Sequence, residues 1–108
     1  MQDESAFVAL TERVLAAIGA ALDAAPADLD WSENDGVLTI ECKGGRIIVN
    51  RHVPSQELWV AAPSGGFHFR LREGGWRDTR SNDELGATLR RLLLEQSGAS
   101  VDIPPFPD

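Results

Sequence analysis

Cysteine is almost absent. Cys42 is the only one in 108 residues, so no internal disulfide can form and the thiol content does not point to an oxidising compartment. Long apolar runs are missing too, since no stretch reaches the ~18 consecutive apolar residues that a membrane span requires. The opening MQDESAF carries acids where a signal or transit peptide carries arginine or lysine. A soluble, cytoplasmic protein is the expectation, with no membrane partner. Base is scarce in the first third, where eight acids (Asp3, Glu4, Glu12, Asp23, Asp28, Asp30, Glu33, Asp35) face Arg13 alone. The rest of the chain is balanced, so the net charge of −7 resides in the first third. Such a field repels nucleic acid and anionic lipid and attracts cations or a basic protein surface. Enzyme signatures are lacking as well: His52 and His68 have no cysteine partners at metal-site spacing, and there is neither a phosphate-binding glycine loop nor a nucleophile elbow. Each histidine reads as a solvated sheet or loop residue; heme capture by either would rest on that one feature.

What is present is enough for one domain over residues 1–108, because 43% hydrophobic residues can fill a modest core without metals or disulfides. Phe7, Leu10, Val14, Ile18 and Leu22 recur at spacings of three and four, which predicts an amphipathic helix over 3–25, capped by Asp3 or Ser5 and stopped by Pro26. Gly19 inside it weakens the helix by roughly 1 kcal/mol relative to alanine. An acidic linker with Trp31 follows, with room for a short edge strand. From 36 to 76, β-branched and aromatic runs cut by glycine turns predict an antiparallel meander. Its strands are expected at 37–43, 46–50, 57–62 and 67–72, the first two joined by Gly44 and Gly45. Ser81 followed by Glu84 reads as a capping box opening a second helix with Leu85, Leu89, Leu92 and Leu93 on one face, closed by Gly98. Residues 101–103 add a last strand or pack back on the core, and the proline-rich segment 103–108 reads as a stiff, exposed tail.

Neither helix is stable alone and the sheet has one apolar face to cover, so the expected fold is α+β: a two-layer sandwich with both helices on one face of an antiparallel five- to six-stranded sheet. Strand parity turns Leu38, Ile40, Leu58, Val60, Phe67, Phe69 and Leu71 inward and Thr39, Glu41, Ile48, Asn50, Trp59, Ala61, His68 and Arg70 outward. Cys42 shares the inward parity and reads as an inert buried thiol. The outward Trp59, with Asn50, Arg51, His68, Arg70 and Arg72 nearby in sequence or parity, is the best binding candidate, because Trp and Arg concentrate interface energy. Clustered acids at Asp23, Asp28, Asp30, Glu33 and Glu41 could hold a hard cation, although they match no dedicated loop; a solvated acidic face is the alternative.

The motifs GVLTI (36–40), IIVNRHVP (47–54), LWVA (58–61), SGGFHF (64–69) and the tryptophan at 76, set in the order helix, acidic linker, meander, helix, resemble the frataxin family, above all its bacterial members. The likeness covers residues 3 to about 103. It implies an α+β sandwich that binds iron weakly and associates with the cysteine desulfurase and scaffold of iron–sulfur cluster assembly. By position it assigns Asp3, Glu4, Asp23, Asp28, Asp30, Glu33 and Glu41 to an acidic iron-binding ridge, and Asn50 and Trp59 with their surroundings, Arg51, His68 and Arg70, to a partner-binding face. It further implies a monomer that iron can drive into oligomers, acting as a regulator; ferroxidase or iron storage is the alternative. Where bacterial frataxins crowd carboxylates at the end of the first helix, this chain has Gly19, Ala20 and Ala24 around a lone Asp23. Fewer carboxylates mean weaker attraction per cation.

Overall fold

A computed structural model describes residues 3–25 and 29–106. Pro26 and Asp28, to which a helix stop and a ridge position were assigned, lie outside the described residues. In chain order the elements are α1 (Glu4–Ala24), β1 (Asp30–Asn34), β2 (Val37–Cys42), β3 (Gly45–His52), β4 (Glu57–Ala62), β5 (Gly65–Arg72), β6 (Gly75–Asp78) and α2 (Leu85–Ser97). The six strands form one antiparallel sheet in the order β1-β2-β3-β4-β5-β6, so every strand pairs only with its neighbours in sequence. This is the expected α+β sandwich, with the acidic linker supplying the edge strand β1.

Asp3 caps α1 by accepting a hydrogen bond from the Ala6 amide at 2.8 Å. By length and composition α1 could span a membrane, with 21 residues and a mean hydropathy of 1.6, which the sequence reading did not anticipate. Its apolar stripe is nonetheless committed to the core through Phe7, Leu10, Val14, Leu15, Ile18 and Leu22. Gly19 belongs to this face for a steric reason. A Cβ there would come within 2.6 Å of the Trp31 ring, which lies flat across the helix while its Nε1 donates to Asp23 at 2.8 Å. The missing methyl group is therefore what lets β1 dock on α1.

The inward residues of the sheet behave as parity requires. Leu38, Ile40, Leu58, Val60 and Phe69 are buried together with Ile47 and Val49, whereas Phe67 and Leu71, nearer the sheet margin, are half-buried. Trp76 on β6 is fully buried, packed at 6.4 Å from the Phe7 ring. Cys42 is half-buried rather than buried, being the last residue of its strand; burial, and secondarily the Glu41 charge, raise its thiol pKa.

Three local readings need correction. The turn between β2 and β3 is Lys43–Gly44, because Gly45 already pairs with Cys42 at φ +140°; the Gly44 amide donates to the Gln96 carbonyl at the end of α2. The capping box does not form. Asp78 takes the Arg80 and Ser81 amides, Asn82 adopts a left-handed φ of 67°, and the helix starts later with Glu84 itself as N-cap, accepting from the Gly86 and Ala87 amides at 2.9 and 3.0 Å. Finally, residues 101–103 pack back on the core, one of the two outcomes expected, but the proline-rich segment after them is not wholly an exposed tail, because Phe106 is buried too. Val101, Ile103 and Phe106 are all buried in the core, and Arg90 hydrogen-bonds the Ile103 carbonyl.

Candidate functional site

On β4, Glu57, Trp59 and Ala61 point away from the helices while Leu58 and Val60 point toward them. The two-residue turn Pro63–Ser64 fixes the register that sets Trp59 opposite His68, and β3 places Asn50 opposite it on the other side. Both faces of the indole are covered: the His68 ring lies 4.3 Å away, tilted by 8°, and the diagonal neighbour His52 lies 3.8 Å away, tilted by 12°. What Trp59 presents to solvent is its edge. The stack was not anticipated, although His68 had been grouped with Trp59.

Beneath the stack is a residue the sequence reading missed. Glu57 is on the outer sheet surface yet only 6% exposed. Its Oε1 accepts from Trp59 Nε1 at 2.8 Å and from Ser55 Oγ at 3.2 Å, its Oε2 accepts from Arg70 Nη2 at 2.7 Å, and His68 Nδ1 lies 3.8 Å from Oε1. Burial pushes the Glu57 pKa up, but the hydrogen bonds from Trp59 and Ser55 and the Arg70 guanidinium outweigh it and hold the carboxyl below the usual carboxylate range. Since the Ser55 hydroxyl gives its hydrogen to Glu57, the 2.7 Å contact with His52 Nδ1 requires that nitrogen to be the donor. The signals were the shared parity of 57 and 59 and the pairing of Glu57 with Arg70 across the β4–β5 register.

Beside the indole the outer face dips into a hollow of about 400 Å³ lined by Val37, Ile48, Asn50, Trp59, Ala61 and Gly66, mainly apolar groups. A larger cleft of about 500 Å³ opens at the sheet end among Phe7, Leu10, Ser55, Gln56, Leu71 and Trp76. Arg70 lines it as well, and the Trp76 indole nitrogen is buried without a hydrogen-bond partner among the described residues.

The residues grouped as a partner-binding face do not all meet. Asn50, Trp59, His68 and Arg70 share the outer surface. Arg51 has the opposite parity, its side chain only 10% exposed, where it lies against Gly36 and bonds Glu12 of α1 at 3.2 Å. It ties sheet to helix.

The acids assigned to a ridge are also dispersed. Asp3 and Glu4 are at the start of α1 and Asp23 at its end, about 30 Å apart by helical rise. Asp23 is bound to Trp31, and Glu33 accepts from the Gly36 amide at 3.4 Å. Asp30 and Glu41 lie directly opposite each other across β1 and β2, and Glu41 also holds Arg46 at 2.9 Å. Among the described residues no three histidine, cysteine, aspartate or glutamate side chains are gathered so as to hold a metal ion. The donor set suits a hydrated cation drawn to a charged edge, not a preformed cage.

A family model described as a frataxin-like domain matches residues 1–99. The chain is 46% identical over 103 residues to the iron–sulfur cluster assembly protein CyaY of Paraburkholderia phymatum, a match covering 94% of this chain and 98% of the relative. It is 50% identical over 101 residues to the protein of the same name from Dechloromonas aromatica, covering 92% and 96%. Among solved structures, the frataxin of Psychromonas ingrahamii matches with a TM-score of 0.89 at 30% identity, over 95% of this chain and 99% of that one. Trimeric frataxin from Saccharomyces cerevisiae, in complex with ferrous iron, shares the fold with a TM-score of 0.65 at 23% identity, over 88% and 85%.

Proposed function

The chain belongs to the frataxin-like family, and from that premise we propose that it is an accessory protein of iron–sulfur cluster assembly, acting in the cytoplasm. It docks on the cysteine desulfurase and its scaffold and brings weakly held iron to them. The observation that carries this reading is the uncovered sheet face around Trp59, where an indole, a guanidinium and an apolar hollow stand together without a helix over them. Exposed groups of this kind, held rigid, are what an interface hot spot requires.

Iron is cargo in this scheme. Asp30 and Glu41 face each other across β1 and β2 and can attract Fe2+ or Fe3+ where the ion displaces Arg46 from Glu41, with the remaining coordination left to water and to the partner. Ferroxidase chemistry gains no support from the geometry, since paired irons need bridging carboxylates converging on one point, and the carboxylates of the described residues are dispersed. A role in iron–sulfur cluster assembly also agrees with the names of the bacterial relatives.

Calorimetric titration of purified cysteine desulfurase with the parent chain and with Trp59→Ala tests the docking face. We expect Trp59→Ala to weaken binding about tenfold or more with its circular dichroism unchanged; undiminished affinity would refute the assignment.

A further inference from the structure

The docking face depends on a buried charge that touches no partner. We propose that Glu57 is the positioning residue of this face, its carboxylate holding the Trp59 indole and the Arg70 guanidinium in the single arrangement that a partner recognises. The inference rests on the docking reading above and assigns the residue through which that face acquires its shape.

The geometry gives Glu57 this part because three donors converge on its two oxygens: Trp59 Nε1 at 2.8 Å, Ser55 Oγ at 3.2 Å and Arg70 Nη2 at 2.7 Å. At 6% exposure the carboxylate is out of reach of a docking protein, while Trp59 is half-buried and Arg70 exposed. Each interaction removes a freedom from the surface. The Nε1 bond sets the rotation of the indole in the slot between His52 and His68, so that its edge, not its face, meets solvent. The ion pair draws the Arg70 side chain back along the sheet, beside the indole. Ser55 relays the constraint to His52 through its 2.7 Å contact with Nδ1, so one carboxylate orders both the indole and one of the rings that clamp it. Rigid anchors bind more tightly than mobile ones because less rotamer freedom is lost on association.

A neutral amide cannot replace this arrangement. In Glu57→Gln the single carbonyl oxygen could serve either Trp59 or Arg70, and the amide hydrogens would face whichever donor remained. The indole and the guanidinium would then move independently.

A double-mutant cycle on desulfurase affinity, with Glu57→Gln and Trp59→Phe made singly and together, separates positioning from general support. If Glu57 acts through the indole and the guanidinium together, Glu57→Gln weakens binding about tenfold in the parent chain and by a clearly smaller factor in the Trp59→Phe background, where only the Arg70 interaction is left to lose. Equal losses in both backgrounds, or no loss in the parent, would overturn the proposal. Trp59→Phe binding with parental affinity would instead overturn the docking reading, so the two failures are distinguishable. Should Glu57→Gln not fold, Glu57→Asp takes its place in the cycle, since it keeps the charge and withdraws the carboxylate from Nε1 by one methylene.

Discussion

Glu57 illustrates at the residue scale how a sheet surface can hide a charge. An unpaired carboxylate this far from water would protonate, but three hydrogen-bond donors keep it ionised. Its pKa in the fold is lower than the ordinary value of 4.5, so the folded state binds fewer protons there than the unfolded chain does. Ionised Glu57 accordingly stabilises the fold above that ordinary value, and the contribution is lost as pH falls through the lower, folded one. The difference in melting temperature between the parent and Glu57→Gln should shrink as pH is lowered from about 5 to about 3; a constant difference would contradict the charged network. Much of this site was legible from alternation alone, since Asn50, Trp59, His68 and Arg70 all fall on the outward parity. Arg51 was grouped with them by closeness in sequence, although the same alternation puts it with Val49 against the helices. The burial of Glu57 was not legible, because it depends on side chains arriving from β3, from β5 and from the intervening turn.

Among the elements, those with a strong period were read correctly, while the start of α2 and the proline-rich end were not. The spacing of Phe7 to Leu22 is enough to specify α1, and the Gly19 that seemed to weaken it turned out to be a seat for Trp31. The start of α2 was misjudged because Asp78 takes the Arg80 and Ser81 amides while the Ser81 hydroxyl takes the Asp83 amide, a turn ahead of the helix that spacing does not reveal. The proline-rich end was misjudged more seriously, at Phe106. Proline suggests an extended chain but does not say whether that chain lies in water or along a groove. Here it runs beside α2, with the Phe106 amide donating to Glu84 Oε2 at 3.2 Å and the Phe106 ring 6% exposed. Truncating that ring leaves a cavity in the core, so Phe106→Ala should cost about 3 kcal/mol in urea unfolding. A cost typical of a surface position, within about 0.5 kcal/mol, would mean that the segment is loose in solution.

For the whole molecule the decisive property is polarity of charge. The acids of β1 and of its neighbour β2, Asp30, Glu33 and Glu41, lie at one sheet edge, whereas Arg70, Arg72 and Arg77 lie on β5 and β6 at the other. A basic partner therefore meets the acidic edge first, and the field acts mainly on the rate of encounter. Neutralising Asp30, Glu33 and Glu41 together should slow association with the desulfurase at low salt. The deficit should vanish near 1 M salt, where screening confines electrostatic effects to about 3 Å; stopped-flow rates across a salt series would show it, and a deficit independent of salt would assign these acids to direct contact. The architecture offers an optical consequence besides. With no tyrosine and three tryptophans in the sequence, emission excited at wavelengths too long for phenylalanine comes from the indoles alone. Each indole occupies a different layer: Trp31 across α1, Trp59 on the open sheet face, Trp76 within the core. Chains keeping one indole at a time would glow from one layer at a time, separating edge, open sheet face and interior without an added dye.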